Sequence, residues 1–283
     1  MMNHPKKIRY SILELALIPE GSTTGQTLER SLDLARKAED LGYERFWLAE
    51  HHNSRQIAST ATVVLIGYIA GGTRKIRVGS GGIMLPNHSP LIVAEQFGTL
   101  GTLYPNRIDL GLGRAPGTDQ ETAHANRPER MHSVYRFPEE VGQIREYFSE
   151  DNRDGRVRVP VAEGINVPLY ILGSSTDSAR VAAKLGLPYA FASHFATNYL
   201  FEALDIYYNQ FQPSAVLREP YTIEGINVLA AETDEEAEKL YSTLIRMFLG
   251  VFTGQRDYLQ KPTAMTPELW DVSQNPALQQ MLK

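Results

Sequence analysis

Of the 283 residues, 42 % are hydrophobic and 22 % are charged, proportions that are ordinary for a globular protein and argue against intrinsic disorder. The 28 basic and 33 acidic side chains give a formal net charge of −5 without a dense basic run, which argues against a nucleic-acid-binding surface. The chain contains no cysteine, so disulfides, thiolate metal sites and cysteine nucleophiles are excluded.

Short apolar runs alternate with segments of helical periodicity along most of the chain. This alternation is typical of βαβ units around a parallel sheet. In chain order it predicts strands at 8–17, 43–49, 75–85, 107–113, 168–173, 187–192 and 221–231. The predicted helices follow them at 24–41, 58–71, 89–103, 133–149, 176–185, 195–211 and 233–250.

Two segments interrupt this alternation. Residues 114–132 form a long polar connection, and connections of this length commonly act as functional lids or are disordered. Residues 151–167 alternate valine with polar residues, which predicts a short hairpin added to the sheet. Because no repeat or interdomain linker is evident, the whole chain, 1–283, is predicted to be one domain with these two insertions.

The length fits a single TIM barrel, the α/β fold of eight parallel strands and about 250 residues. Only seven strands are predicted, however, and the segment after residue 250 contains no apolar run that resembles an eighth. The eighth strand and the last helix are therefore predicted to be missing. Since an open sheet edge leaves backbone groups unpaired, either the chain is cut short, or the barrel stays open or is completed by a partner.

Glu50, His51 and His52 follow an apolar run at the end of a predicted strand. Parallel α/β folds carry their chemistry at the carboxyl ends of strands, and histidine exchanges protons near neutral pH. Adjacent strand residues point to opposite faces, so one histidine is predicted to be catalytic and the other supporting. Both are also compatible with ordinary polar residues that end a strand. No metal site is predicted, because histidine spacings typical of metal ligands are absent.

Gly81 and Gly82 lie within the predicted strand 75–85. Glycine inside a strand often marks close approach by a ligand or by backbone, although a bulge or a bend of the barrel is the simpler explanation. Beyond this strand, Ser89 and Pro90 predict the start of a helix. His88 is interpreted as a loop residue.

A cation and a group of hydroxyls follow two later strands. Arg114 directly follows the strand 107–113, where its positive charge predicts an anionic partner. Ser174, Ser175 and Ser178 end another strand and open a helix, where amides and hydroxyls can bind phosphate. Ordinary N-capping also explains these serines, but together with Arg114 they predict a phosphate site.

From Ile8 to about Leu249, the chain resembles the bacterial luciferase-like family of flavin-dependent monooxygenases. The resemblance rests on ordered motifs at Phe46–His52, Gly79–Pro86, Ala94–Glu95, Asn106–Arg114, Tyr170–Ser178 and Gly186–Pro188. It implies a TIM barrel that binds FMN. The phosphate is implied to lie at Arg114 and at the serine loop, which is the segment 173–178 with Ser174, Ser175 and Ser178, and Arg136 is implied to be a second cation. It also implies that His51 assists flavin oxygen chemistry, and that Gly81-Gly82 forms a cis peptide against the flavin ring. Glu95 is implied to lie near that ring or near the glycine strand.

The implied function is oxygenation of a small organic substrate by dioxygen and reduced FMN, which a separate NAD(P)H-dependent reductase supplies. Two alternatives remain, namely hydride transfer with a deazaflavin coenzyme and flavin binding without turnover. Gly113 stands where luciferase itself has a reactive cysteine, so light emission is not implied. Leu13, Glu14 and the connection 114–132 are candidate linings of the substrate pocket.

Location and assembly are also predicted. The first ten residues lack the apolar stretch of a signal peptide, and no segment reaches the roughly 18 continuous apolar residues of a membrane span. The protein is therefore predicted to be cytoplasmic, without membrane or nucleic-acid partners. In the luciferase-like family the helices after strands two and three often form a dimer face, so the resemblance implies a homodimer.

Overall fold

The structure, a computed structural model, describes residues 8–255 and 257–282. This part of the chain contains strands β1 Ser11–Glu14, β2 Arg45–Leu48, β3 Arg77–Met84, β4 Ile108–Gly113, β5 Leu169–Gly173, β6 Tyr189–Phe191 and β7 Thr222–Glu224. Its helices are α1 Thr24–Asp40, α2 Thr62–Gly72, α3 Pro90–Leu103, α4 Gln120–Asn126, α5 Arg130–Tyr135, α6 Phe137–Phe148, α7 Thr176–Leu185, α8 Leu200–Gln210, α9 Asp234–Thr253, α10 Pro267–Ser273 and α11 Pro276–Leu282.

The strands form one parallel sheet in chain order, and each strand pairs with the next. Because each of these strands is followed by at least one helix, this is a TIM-type barrel, as predicted. The described residues contain no eighth strand, which confirms that prediction, and β1 and β7 are the two edges of the sheet. Within the same residues, no helix has the length and apolarity needed to cross a membrane.

Capping residues set the start of the first and the last long helix. The Thr23 hydroxyl accepts a hydrogen bond from the Gln26 amide at 3.2 Å, and the Gln26 side chain accepts one from the Thr23 amide at 3.0 Å. Thr233 caps α9 by a single bond, in which its hydroxyl accepts from the Glu236 amide at 3.2 Å. Three acidic residues in the first turn of α9 interact favourably with the positive end of the helix dipole. The caps therefore hold both helices in place by local contacts.

The main hydrophobic core lies between the sheet and the surrounding helices. Phe46 and Leu48 of β2 are buried in this core against residues of α1 and α2. Arg45 and Trp47 point to the barrel interior, because successive side chains of a strand alternate between its faces. The strand thus separates an apolar outer layer from a more polar inner layer.

A buried ionic cluster around Asp109 occupies the interior of the barrel. One carboxylate oxygen accepts from the indole of Trp47 at 3.0 Å and lies 3.4 Å from Arg45 Nε. The other accepts from the Arg77 guanidinium at 2.5 Å, and Arg45 also donates to the Tyr170 hydroxyl at 3.2 Å. Asp109 is fully buried. Because a buried charge is tolerated only when it is paired, the cluster depends on all of its members.

The hairpin predicted at 151–167 is wrong. A 3₁₀ turn at Glu150–Asp154 begins the segment, which has no strand before β5. Val159 is buried beside Ala94 and Ala162, whereas Val157 is 55 % exposed. The alternation of valines therefore reflects a loop that anchors single side chains on α3, not paired strands.

Strand β7 is much shorter than the predicted 221–231. Ile226 and Val228, beyond its observed end, are 75 % and 70 % exposed. A strand needs a neighbour to pair its backbone groups, and β6 ends at Phe191 while the described residues hold no eighth strand. The chain therefore leaves the sheet early, although its sequence favours a strand.

Candidate functional site

The carboxyl ends of the strands bring several predicted residues to one rim of the barrel. Glu50, His51 and His52 follow β2, Arg114 follows β4, and the serine loop joins β5 to α7. In a parallel barrel these strand ends open on the same side. The polar groups predicted from separate motifs therefore share one surface.

The Glu50 carboxylate connects three segments of this rim. Nε2 of His52 and Nε2 of His88 each donate to it at 2.9 Å, and the Met84 amide and the Asn87 side chain donate at 3.1 and 3.3 Å. Burial by itself would raise the pKa of Glu50, but the bonds from His52 and His88 outweigh it and lower this pKa to about 2. In the described residues, no group of His, Asp and Glu side chains is arranged to hold a metal ion.

The lowered pKa of Glu50 predicts a loss of stability in acid. An unfolded glutamate titrates near pH 4.3, so this contribution is present above that pH and is lost as the pH falls towards 2. The pKa difference corresponds to about 3 kcal/mol of unfolding free energy. Urea unfolding between pH 6 and pH 2 should therefore show a steeper loss in the wild type than in Glu50→Gln. Parallel pH dependences of the two proteins would contradict this expectation.

The connection 114–132 is bonded to the histidine loop. His51 Nδ1 lies 3.1 Å from the Gly117 carbonyl oxygen, and the Thr118 hydroxyl donates to the His52 carbonyl at 3.1 Å. A carbonyl oxygen can only accept, so His51 Nδ1 carries hydrogen and Nε2 holds the lone pair of the neutral ring. Helix α4 and the start of α5 lie within this connection, which is therefore partly helical.

Arg114 and the first turn of α7 form a site suited to an anion. Ser175 is the N-cap of α7, but its side chain makes no capping bond, so the first amides of the helix lack a side-chain partner there. The Arg114 guanidinium lies 3.4 Å from the exposed Asp177 carboxylate. Ser174 is half-buried, and the Ser178 hydroxyl donates to the Ser175 carbonyl at 2.7 Å. The cation and the amides fit a phosphate, which must compete with Asp177 for the arginine.

A cis peptide bond joins Gly81 to Gly82, as the resemblance implied. The register between β3 and β4 shifts between Ser80 and Ile83, so the pair lies in a bulge. A Cβ atom at Gly82 would lie 2.8 Å from the Gly111 carbonyl oxygen. The close approach of β4 therefore requires glycine at this position even without a ligand.

Leu13 and Glu14 face opposite sides of β1. A Cβ atom at Gly81 would lie 2.7 Å from Leu13 Cδ1, which places Leu13 in the barrel interior. Glu14 instead accepts a bond from Ser31 of α1 at 3.3 Å, and burial raises its pKa. Of these two candidate linings, only Leu13 is directed to the interior.

Two predicted cofactor residues are not brought to the others. Glu95 is exposed on α3, and Arg136 is exposed at the junction of α5 and α6. Among the residues that the structure describes, neither side chain forms a hydrogen bond or an ion pair with the rim residues above. The implied placement of Glu95 near the glycine strand gains no support from these contacts.

Comparison with known proteins shows the family of the chain. The family model described as luciferase-like monooxygenase matches residues 8–275. The chain belongs to this family. A luciferase-like monooxygenase of Escherichia coli (strain K12) is 49 % identical over 277 residues, 98 % of this chain and 83 % of the relative. The N-acetyl-S-alkylcysteine monooxygenase of Bacillus subtilis (strain 168) is 42 % identical over 238 residues, 82 % of this chain and 70 % of the relative.

Solved structures agree with the fold of a luciferase-like monooxygenase. The apo structure of MsnO8 has a TM-score of 0.84 and 39 % identity, and the match covers 90 % of this chain and 76 % of that one. The oxygenating constituent of 3,6-diketocamphane monooxygenase in complex with FMN has a TM-score of 0.68 at 16 % identity, with coverages of 88 % and 77 %. An F420-dependent secondary alcohol dehydrogenase has a TM-score of 0.65 at 16 % identity, with coverages of 97 % and 84 %. The last two likenesses show the shared fold alone.

The rim carries a further histidine that was not predicted from the sequence. His194 follows β6, and its Nδ1 is buried without a hydrogen-bond partner among the described residues. Burial, and then repulsion from His51 whenever that ring is protonated, lower the pKa of His194 to about 4, which keeps the His194 ring neutral near pH 7. The sequence did contain a signal for His194, because it stands just after the predicted strand 187–192, as His51 stands just after the predicted strand 43–49. His88, which was interpreted as a loop residue, belongs to the Glu50 cluster, the group in which His52, His88, Asn87 and the Met84 amide donate to the Glu50 carboxylate.

Proposed function

We propose that this chain is a flavin-dependent monooxygenase that uses reduced FMN and dioxygen to oxygenate a small organic substrate. The observation that carries the proposal is the anion site formed by Arg114 and the start of α7, at the same rim as His51. Membership of the monooxygenase family supports the oxygenation. A separate NAD(P)H-dependent flavin reductase is the proposed source of reduced FMN.

The proposed phosphate ligands are Arg114, Ser174, Ser175 and the first amides of α7. Gly81 and Gly82 are the proposed seat of the flavin ring. Ser178 supports the phosphate site by fixing the Ser175 carbonyl. Glu95 and Arg136 are left out of this set, because both side chains are exposed and neither has a described bond to the proposed phosphate ligands.

If FMN is held by Arg114 and the first turn of α7, its reduced form would supply the electrons for the reaction with dioxygen. His51 is proposed to hold or deliver a proton at Nε2, because Nδ1 is engaged by the Gly117 carbonyl. The connection 114–132, bonded beside His51, is proposed to exclude water from the reacting atoms. Leu13 contributes an apolar wall to the interior.

Oxygen incorporation tests this function directly. Chemically reduced FMN, isotopically labelled dioxygen and an N-acetyl-S-alkylcysteine are supplied to the protein, since a relative is named for acting on that class. Labelled product that forms only when the protein, reduced FMN and the substrate are all present is the expected result, because free reduced FMN consumes oxygen without forming that product. Reduction of a supplied ketone to an alcohol by a reduced deazaflavin, without oxygen uptake, would instead establish the hydride-transfer alternative, which the F420-dependent neighbour motivates. FMN binding with oxygen uptake no faster than that of free reduced FMN, and without labelled product, would support the non-catalytic alternative.

FMN affinity should respond in opposite directions to two substitutions at the phosphate site. Arg114→Ala should weaken binding about 10- to 150-fold, because hydrogen bonds to charged groups contribute about 1.5–3 kcal/mol. Asp177→Asn should tighten binding by up to about fivefold, since an exposed ion pair contributes at most about 1 kcal/mol. Quenching of FMN fluorescence measures both. Arg36→Ala, which removes an exposed arginine of α1, is the control, and an equal loss there would remove Arg114 from the site.

A homodimer through α2 and α3 is also proposed. Val64 and Tyr68 of α2 and Ile92 and Leu103 of α3 are 70, 43, 45 and 63 % exposed. Exposed apolar side chains on adjacent helices are typical of a subunit interface. Val64→Glu should therefore convert a dimer to a monomer in light scattering. Phe201→Glu on α8 is the matched control, and a wild-type monomer at high concentration would contradict the proposal.

A further inference from the structure

We propose that Asn87 and Gly117 are positioning residues for His51, which hold its imidazole with hydrogen on Nδ1. This inference rests on the proposed function for its consequence, but its geometry lies entirely within this chain. The residues 116–118 form a strap, which crosses the loop that follows β2. Each residue of the strap bonds to that loop or to the turn after β3.

Asn87 sets the position of the strap. Its side-chain nitrogen donates to the Pro116 carbonyl at 2.9 Å and to Glu50 at 3.3 Å. Both partners can only accept while Glu50 is ionised, so the amide must direct its NH₂ group towards them. The Asn87 oxygen is left buried without a hydrogen-bond partner in the described residues. This orientation is therefore imposed by Glu50 and Pro116, and not by a partner of the oxygen.

Gly117 brings its carbonyl to His51 only because it lacks a side chain. Its φ is +66°, a conformation that glycine adopts without strain. A Cβ atom at this residue would lie 2.7 Å from the Glu50 carbonyl oxygen and 3.1 Å from Met84 Cγ. The strap thus lies directly on the residue that precedes His51. A larger residue there must lift the Gly117 carbonyl away from the ring.

The Glu50 cluster and the strap place the ring hydrogen on different nitrogens in different histidines of the rim. His52 and His88 donate through Nε2 to the Glu50 carboxylate, whereas His51 donates through Nδ1 to the Gly117 carbonyl. In a neutral ring this leaves the lone pair of His51 on Nε2. The function that this placement serves is proton exchange at Nε2, so Asn87 and Gly117 act on the proposed reaction through His51.

The experiment measures the ring hydrogens of His51 by nitrogen NMR in the full-length protein without flavin. The His51 signals are assigned by their absence from His51→Gln. We expect the Nδ1–H form to predominate in the wild type. Its ratio to the Nε2–H form should fall by up to about tenfold in Asn87→Ala and in Gly117→Ala, which is the effect of losing one hydrogen bond.

Asn53→Ala is the matched control, because Asn53 bonds to Asp119 just beyond the strap and has no described bond to residues 116–118. It should leave the ratio unchanged. Circular dichroism melting shows that each variant is folded at the measuring temperature. A wild type with hydrogen mainly on Nε2, or an unchanged ratio in both folded variants, would overturn the proposal. Because no flavin is present, either result is independent of whether the chain is a monooxygenase.

Discussion

His51→Gln is expected to lower substrate oxygenation by about 10²- to 10⁴-fold, the usual contribution of a positioned acid or base. Glutamine retains a donor that can reach the Gly117 carbonyl, so the loop should keep its shape. It cannot exchange a proton near neutral pH, and the proposed role at Nε2 is therefore lost. FMN affinity should change little, because the proposed phosphate ligands lie after other strands. Product formation under single turnover measures the chemical effect, and FMN titration measures binding.

His52→Gln separates the two adjacent histidines. The His52 side chain bonds to Glu50 at 2.9 Å through Nε2, so this nitrogen is engaged by the carboxylate. We expect its effect on product formation to be at least about tenfold smaller than that of His51→Gln. Equal losses in the two variants would show that the loop as a whole, and not His51, is required. An unchanged rate in His51→Gln would remove the catalytic assignment.

Asp109→Ala is expected to lower the free energy of unfolding by about 3–5 kcal/mol, or to prevent folding at 37 °C. The substitution leaves Arg45, which is 5 % exposed, and Arg77 without their shared anion. It also leaves the Trp47 indole without its acceptor. Arg45 keeps Glu44 as a counter-ion at 2.9 Å, but the desolvation penalty of the buried cluster is no longer offset by Asp109, which explains the size of the effect. Urea unfolding at pH 7 measures the change.

A control distinguishes burial from the loss of an ion pair as such. Asp33→Ala breaks the exposed pair with Arg36, and its effect should be about 0–1 kcal/mol. Similar values for Asp109→Ala and Asp33→Ala would contradict the view that the interior cluster contributes to the stability of the open barrel.

Local patterns were sufficient to predict much of the framework. The runs that became β2 and β4 ended close to their predicted bounds, because both strands are covered by core side chains and paired on both sides. The same local reasoning failed for residues 225–231, which have strand character but no described neighbour to pair with. It also failed for 151–167, where alternating valines anchor a loop.

The candidate site was predicted in part. Glu50, His51 and Arg114 were recognised because each directly follows an apolar strand, and strand ends share a rim in any parallel barrel. The partnership of Glu50 with His88 was not predicted, since 38 residues separate them. Nothing in the local sequence of Asp109 indicates that two arginines and an indole converge on it.

The sequence by itself therefore determined the order of strands and helices, the family, and which polar residues stand at the rim. These follow from periodicity and from motifs that are contiguous along the chain. Only the tertiary structure decided the partners of Glu50, the hydrogen placement on His51 and the competition of Asp177 for Arg114. Each depends on distances of a few ångströms between segments that are remote in sequence, and such distances are set by how the strands, loops and helices of the barrel pack together.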